Sequence, residues 1–234
     1  AHVQTGNVQA MDVIELKQAN SNKVVIKVRF QNGSIADPTD KQGLTYATAS
    51  LMAQGGAGGK NIGDIQEMMK PWAAYYSANV DKQVSTFTFL VPVDFIDEFY
   101  PLVKNTLLAP NFDENDFSRL MKAQQNYVDQ VVRASSDEEY SKVALEHLLF
   151  RGGNMQHLLQ GTTKSVKGIT LEDIKTHYKN AFTRSIVSLG IAGNYSNELL
   201  QKLKSDLKQL SAADYTVPAP SKARTADGIE VEII

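Results

Sequence analysis

The fold of this chain is decided by the stretch Gly43-Leu44-Thr45-Tyr46-Ala47-Thr48-Ala49-Ser50-Leu51-Met52. It predicts a helix from about residue 44 to residue 54, which a cluster of glycines then ends. Tyr46 and Ser50 are four residues apart, so they lie on one face of that helix, and Ala49 lies beside them. This face therefore carries no imidazole and no carboxylate side chain.

Segments with strand-like composition lie on both sides of the helix. Residues 13–16 and 24–30 predict two strands, and the short link between them favours antiparallel pairing. Residues 84–91 predict a long strand, and residues 186–193 predict a buried one.

Helical patterns occupy most of the remaining chain. They cover residues 61–70, 95–108, 117–132, 136–150, 170–178 and 196–210. Ser136 with Glu139, and Thr170 with Asp173, have the spacing of helix-starting capping boxes. The order of elements predicts an α+β sandwich, in which helices pack on one face of an antiparallel-rich sheet.

The stretch at Gly43 resembles the zinc-binding helix of the M16 (insulinase, mitochondrial-processing-peptidase-like) metallopeptidases. In that family Gly-Leu-x precedes His-x-x-Glu-His, the two histidines bind zinc and the glutamate polarises the metal-bound water. Tyr46 and Ser50 stand at the histidine positions, and Ala49 stands at the glutamate position.

The family's third zinc ligand is a glutamate on a later helix. The corresponding position falls near Tyr127, and no glutamate lies between residues 117 and 133. Asp129 is the nearby carboxylate, but a shift of two residues turns it to another face of a helix. The resemblance therefore implies that all three ligands and the base are missing together, so we expect neither catalytic residues, nor metal ligands, nor a cofactor.

Other segments carry the same resemblance in the family's order. Residues 107–112 (LLAPNF), 161–174 (GTTKSVKGITLEDI), 182–184 (FTR) and 189–193 (LGIAG) are similar to further family motifs. The likeness extends from about Met11 to about Leu210 and implies a LuxS/MPP-like metallohydrolase fold.

The resemblance implies a non-catalytic domain or subunit that scaffolds and helps to bind a peptide substrate. Zinc and the general base would come from a second M16-like domain or subunit bearing His-x-x-Glu-His, in a heterodimer or a two-domain chain. Two alternatives stay open: an autonomous zinc endopeptidase with nonstandard ligands, and a purely structural assembly subunit.

Aromatic and histidine side chains are the other candidates for a site. Trp72, Tyr75 and Tyr76 form a cluster whose ordinary role is packing, and whose functional alternative is a wall of a peptide-binding chamber. We expect a surface or hydrogen-bonded structural role for His157 and a solvated position for His177.

Composition excludes several classes of function. The 234 residues contain 24 basic and 26 acidic side chains and no cysteine. A balanced charge argues against a nucleic-acid surface, and no apolar run approaches the roughly 20 residues that span a bilayer. The absence of cysteine and the export of bacterial family members favour a periplasmic location.

The last part of the chain predicts a domain boundary. We expect an M16-like N-terminal domain over residues 1–212 and a Pro- and Ala-rich linker over residues 213–227. Residues 228–234 are strand-like, as at the start of a second domain. We therefore expect the chain to be the first half of a longer protein, or a product cut near this linker.

Overall fold

A computed structural model describes residues 11–134, 137–225 and 228–229 of the chain. One mixed sheet, with the strand order β1-β5-β2-β4-β3, forms the centre of this part. Its strands are β1 Asp12–Lys17, β2 Lys23–Phe30, β3 Tyr75–Val80, β4 Ser85–Pro92 and β5 Val187–Gly193.

The sheet is antiparallel-rich, as the sequence predicts. β2 pairs antiparallel with β4 and β5, β3 pairs antiparallel with β4, and β1 pairs parallel with β5. The expected direct pairing of β1 with β2 is wrong, because β5 lies between them. Every second side chain of β5 is buried, which suits an interior strand, whereas most β1 side chains are exposed, which suits an edge.

Helices pack on one face of the sheet. They are α1 Leu44–Gln54, α2 Ile62–Met69, α3 Ile96–Leu108, α4 Glu114–Asn126, α5 Val132–Ala134, α6 Asp137–Leu149, α7 Thr163–Lys167, α8 Leu171–Ala181 and α9 Asn197–Leu207. Within the described ranges, no helix is long and apolar enough to cross a membrane.

Side-chain caps explain several helix starts. Thr170 and Asp173 form the capping box that the sequence predicts for α8. Thr162 and Ser165 form a second box at α7, a helix that the sequence pattern missed. Ser136 lies outside the described residues, so the box expected there has no structural counterpart to compare.

The predicted helix over residues 117–132 is longer and less regular than expected. It begins at Glu114, because the Asp113 side chain accepts hydrogen bonds from two backbone amides of the first turn. A π-helical turn, Tyr127–Val131, then interrupts the α-helical pattern and joins α4 to α5.

The main core lies between the sheet and the helices. Alternate residues of β2, from Val24 to Phe30, are fully buried, and Phe87 and Phe89 of β4 pack beside them. The intervening side chains, such as Lys27 and Arg29, point to the other side of the sheet. We call that side the open face.

The segment after α9 has no helix or strand up to Thr225, in the region predicted as a linker. It is nevertheless held by hydrogen bonds to the loop after α6. Asn154 Nδ2 donates to the Ala219 carbonyl at 3.0 Å, and the Ser221 amide donates to Asn154 Oδ1 at 2.8 Å.

Candidate functional site

The start of α1 is held by a carboxylate from the preceding loop. Asp37 accepts hydrogen bonds from the Gly43 amide at 2.8 Å and from the Thr45 amide at 2.9 Å. These amides belong to the helix start, where backbone donors have no intrahelical partner. Gly43 has no side chain to act as the cap, so Asp37 performs that role from six residues away.

The buried Thr45 extends this contact into a partly buried chain of hydrogen bonds. Its Oγ1 lies 2.6 Å from Asp37 Oδ1 and 2.9 Å from His177 Nε2. Because Thr45 donates to Asp37, the His177 ring donates to Thr45 and carries its hydrogen on Nε2. The three side chains therefore join the loop before α1, α1 itself and α8.

Burial shifts the pKa of both titratable groups in this chain. Desolvation raises the pKa of Asp37 to about 6, against the lowering effect of its hydrogen bonds from Thr45 and Gly43. Desolvation lowers the pKa of His177 to about 4. The expectation of a solvated His177 is wrong, because its helix packs against α1 and puts the ring beside Thr45.

A second contact joins the start of α1 to two other segments. Gly43 has a φ of 94°, and a Cβ built there would lie 2.4 Å from the Gln160 carbonyl oxygen. The buried Gln124 of α4 donates from Nε2 to the carbonyls of Gly43, at 3.1 Å, and Gln160, at 2.9 Å. The glycine is required because no side chain fits where these backbones meet.

The four positions of the altered metal motif lie on α1 and at the start of the π-helical turn that follows α4. Ala49 is fully buried in the main core, whereas Tyr46, Ser50 and Tyr127 are partly buried. The side chains of these three make no hydrogen bond within the part of the chain that the structure describes. In the same part there is no group of three or more His, Cys, Asp or Glu side chains that could hold a metal ion.

Asp129, the nearest carboxylate to the third-ligand position, is engaged elsewhere. It accepts a hydrogen bond from Thr163 Oγ1 at 2.5 Å, and this bond lowers the pKa of its carboxyl group. The contact ties the π-helical turn to the start of α7. Asp129 therefore has a structural role. This agrees with the sequence, in which Asp129 lies two residues beyond Tyr127 and so on another face of the helix.

The aromatic residues around Pro71 divide between the core and an exposed strand. Trp72 packs edge-on against Phe99, and Tyr76 stacks on Phe89 with ring centroids 5.8 Å apart. Tyr75 is 57% exposed, on β3, an edge strand that the sequence reading missed. Its Tyr-Tyr start is strand-like, but the preceding Pro71 favoured a loop.

A groove of about 490 Å³ opens between α1, α2 and β3. Tyr75 and Tyr76 contribute to its wall, whereas Trp72 does not line it. Its lining residues are Ala53, Gln54, Ile62, Gln66, Met69, Ala74, Tyr75, Tyr76 and Arg119. The groove thus brings two of the three predicted aromatic residues beside the end of the altered helix.

His157 fulfils its structural prediction. It is buried, with Nδ1 at 2.8 Å from the Leu158 carbonyl, and burial lowers the pKa of its ring. Asp37 and Thr45, in contrast, are site residues that the sequence reading missed. An Asp-Pro pair before a helix is a recognisable signal, but the contact with His177 joins residues 132 positions apart.

Comparison with known proteins identifies the family. Residues 13–165, more than half of the chain, match the model of insulinase (peptidase family M16). The chain belongs to peptidase family M16. The resemblance expected from the sequence is therefore confirmed.

Relatives of this M16 chain include proteins described as inactive. It is 24% identical over 193 residues to a non-peptidase homolog, YmxG, from Helicobacter pylori; the match covers 80% of this chain and 41% of the relative.

Two solved structures share its fold. A peptidase M16 inactive domain from Pseudomonas fluorescens matches with a TM-score of 0.80 and 17% identity, over 92% of this chain and 52% of that one. A protease from Helicobacter pylori matches with a TM-score of 0.78 and 13% identity, over 91% and 51%. The chain thus spans about half the length of these relatives.

Proposed function

We propose that this chain is a non-catalytic M16 domain that binds extended peptides along β3 and delivers them to an active partner. The observation that carries the proposal is the position of the altered metal helix. α1, without an imidazole or a carboxylate at positions 46, 49 and 50, packs directly against the edge strand β3.

Loss of catalysis follows from the chemistry of the altered positions. A zinc peptidase needs three protein ligands and a base for the metal-bound water. Tyr46, Ser50 and Tyr127 supply no such ligand set, and the buried methyl group of Ala49 supplies no base. The non-peptidase and inactive-domain relatives support this proposal.

Peptide binding is supported by the free side of β3. This strand pairs only with β4 within the described part of the chain, so its outer backbone groups can receive an added strand. Tyr75 offers an exposed aromatic ring, and the groove beside it can take a side chain of the peptide.

The proposed partner is a second M16 domain or subunit that carries His-x-x-Glu-His and its zinc. Relatives of about twice this length support such a two-part assembly. An exported, periplasmic location stays a prediction from the sequence.

Peptide affinity of matched variants tests the binding step. We expect Tyr75→Ala to weaken binding of extended, fluorescein-labelled peptides about tenfold, because it removes an aromatic contact worth roughly 1–2 kcal/mol. Ile14→Ala is the control, since Ile14 is an exposed apolar residue (75%) on the opposite edge strand, β1. Equal affinities for the wild type and Tyr75→Ala, or equal losses in both variants, contradict binding at β3.

A mixing experiment tests the partnership. The purified 234-residue chain should raise the rate of peptide cleavage by an M16 subunit that bears the intact zinc motif, and the Tyr75→Ala variant should raise that rate less. If the mixture cleaves no better than the active subunit alone, the scaffold role is refuted. Bound zinc in this chain, with cleavage that a chelator abolishes, would instead establish the autonomous endopeptidase.

A further inference from the structure

A small polar cavity lies on the open face of the sheet, away from the groove at β3. Its volume is about 210 Å³. Its walls come from β1, β2 with the residue after it, and β5 with the loop before it: Met11, Asp12, Arg29, Gln31, Arg184, Ser185, Ile186, Val187 and Ser188.

The register of the sheet brings the polar side chains together. Ser188 of β5 is the cross-strand partner of both Asp12 on β1 and Arg29 on β2. The loop before β5 is fixed by two backbone bonds: the Gln31 amide donates to the Ile186 carbonyl at 3.0 Å, and the Arg184 amide donates to the Ser211 carbonyl at 3.0 Å. Backbone pairing therefore holds both arginines at one end of the sheet.

The charges of this cavity are only partly compensated. Arg29 and Arg184 contribute two guanidinium groups, and Asp12 contributes one carboxylate. Within the described residues, neither guanidinium forms an ion pair or donates a side-chain hydrogen bond to the protein. Arg29 and Arg184 are both exposed, so solvent screens their mutual repulsion, and an anion that contacts both guanidinium groups would lower it further.

We propose that this cavity binds an oxyanion, a carboxylate or a phosphate group, between Arg29 and Arg184. A guanidinium presents paired N–H donors that match the two oxygens of such a group. Gln31 adds a side-chain amide to the same cavity. Ser185 and Ser188 also line it, but the Ser188 hydroxyl donates to the Arg29 carbonyl at 3.5 Å and the Ser185 hydroxyl shares a hydrogen bond with Thr183 at 2.8 Å. The donors that remain for an anion are the two guanidinium groups and the Gln31 amide.

The size of the cavity limits the ligand. A volume of about 210 Å³ is below the roughly 300–1,000 Å³ of typical small-molecule sites. It fits a free phosphate ion or the side chain of one glutamate in a protein segment. The site is independent of the proposed peptide groove, because that groove lies at β3, at the other edge of the sheet.

Substitution of Asp12 should change the anion affinity in the opposite direction to substitution of either arginine. Its carboxylate shares the cavity with the anion and repels it. Asp12→Asn should therefore tighten anion binding several-fold, while Arg29→Gln and Arg184→Gln should each weaken it about tenfold. A gain of affinity cannot result from damage to the fold.

The test is a titration of the isotope-labelled 234-residue chain at low salt, followed through the side-chain NMR signals of Arg29 and Arg184. Arg119 lines the groove at β3, so its signal is excluded from the readout. One arm uses inorganic phosphate. The other uses a short, end-blocked peptide with one glutamate, compared with its glutamine counterpart. Lys27→Gln is the matched control, because Lys27 is exposed on the same strand and face as Arg29 but does not line the cavity.

The two probes distinguish a site for a free anion from a docking site for an acidic segment. Binding of phosphate alone establishes a free-anion site, and binding of the glutamate peptide but not the glutamine peptide establishes a docking site for an acidic segment. The proposal is overturned if neither probe binds, if the Arg29→Gln/Arg184→Gln double variant binds as the wild type does, or if Lys27→Gln loses as much affinity. None of these results depends on peptide binding at β3.

Discussion

Replacing Asp37 with asparagine should make the stability of this protein sensitive to acid. The reason lies in the hydrogen-bonded chain of Asp37, Thr45 and His177, whose two titratable members have pKa values shifted in opposite senses. In the wild type their effects on the free energy of unfolding oppose each other. Removal of the Asp37 carboxylate leaves the effect of His177 on the free energy of unfolding unopposed.

Asp37 stabilises the folded state as the pH falls. Burial raises the pKa of its carboxyl group from 3.8 to about 6, so between these values the folded state binds more protons than the unfolded state. Its contribution is absent above about pH 6 and grows as the pH drops toward 4. Integration from about pH 7 to about pH 4 gives a gain of about 2 kcal/mol.

His177 acts in the reverse direction. Burial lowers the pKa of its ring from 6.5 to about 4, so the unfolded state takes up the proton first. Its contribution is intact above about pH 6.5 and is lost as the pH falls. Over the same interval the loss is about 3 kcal/mol.

The two terms cancel in the wild type to within about 1 kcal/mol. Between about pH 7 and about pH 4, the Asp37→Asn variant should therefore lose about 3 kcal/mol of stability. Over the same interval the His177→Gln variant should gain about 2 kcal/mol. His177→Gln should also be somewhat less stable at neutral pH, because glutamine does not reproduce the imidazole ring.

Urea unfolding, followed by circular dichroism at a series of pH values, measures these slopes. Other titrating groups contribute equally to all three proteins, so the differences between the curves isolate the two side chains. Curves for Asp37→Asn and the wild type that stay parallel between about pH 7 and about pH 4 would refute the reasoning. A His177→Gln curve that stays parallel to the wild-type curve over the same pH interval would refute it as well.

Two further substitutions test the packing around α1, with urea midpoints as the measurement. Gly43→Ala should cost about 2–4 kcal/mol, because its Cβ would lie 2.4 Å from the Gln160 carbonyl; Gly59→Ala, also at positive φ but with nothing within 4 Å, should cost only about 1 kcal/mol. Ala49→Glu, which restores the family's base in a fully buried position, should cost about 3 kcal/mol or more, whereas Ser50→His at a partly buried position should cost less. Equal costs within either pair would contradict the packing described.

Local signals in the sequence were sufficient for many elements. Helix α1 has the predicted limits, since its end is marked by Gly55 and the glycines after it. The Thr170–Asp173 box predicts α8 because both partners of the cap lie within one turn of chain. The replacement of metal ligands at positions 46, 49 and 50 is likewise a property of side-chain chemistry, and it requires no coordinates.

Other features depend on partners far away in the chain. The sequence did not predict β3, because its six residues show little of the alternation typical of a strand. β3 is a strand because it pairs with β4. β1 lies beside β5 rather than β2 because a buried strand from near the end of the chain enters between them. The energy of such pairings comes from contacts that no local window contains.

The sequence by itself determined the fold class, the position of α1 and the absence of zinc ligands on its face, because each depends on residue type and short-range spacing. Only the tertiary structure decided which strands are edges, how Asp37, Thr45 and His177 meet, and that Arg29 and Arg184 share a cavity. The physical reason is that burial and charge environment are set by segments that fold together from distant parts of the chain. A histidine that the sequence places on a solvated helix acquires its shifted pKa only when α8 packs on α1.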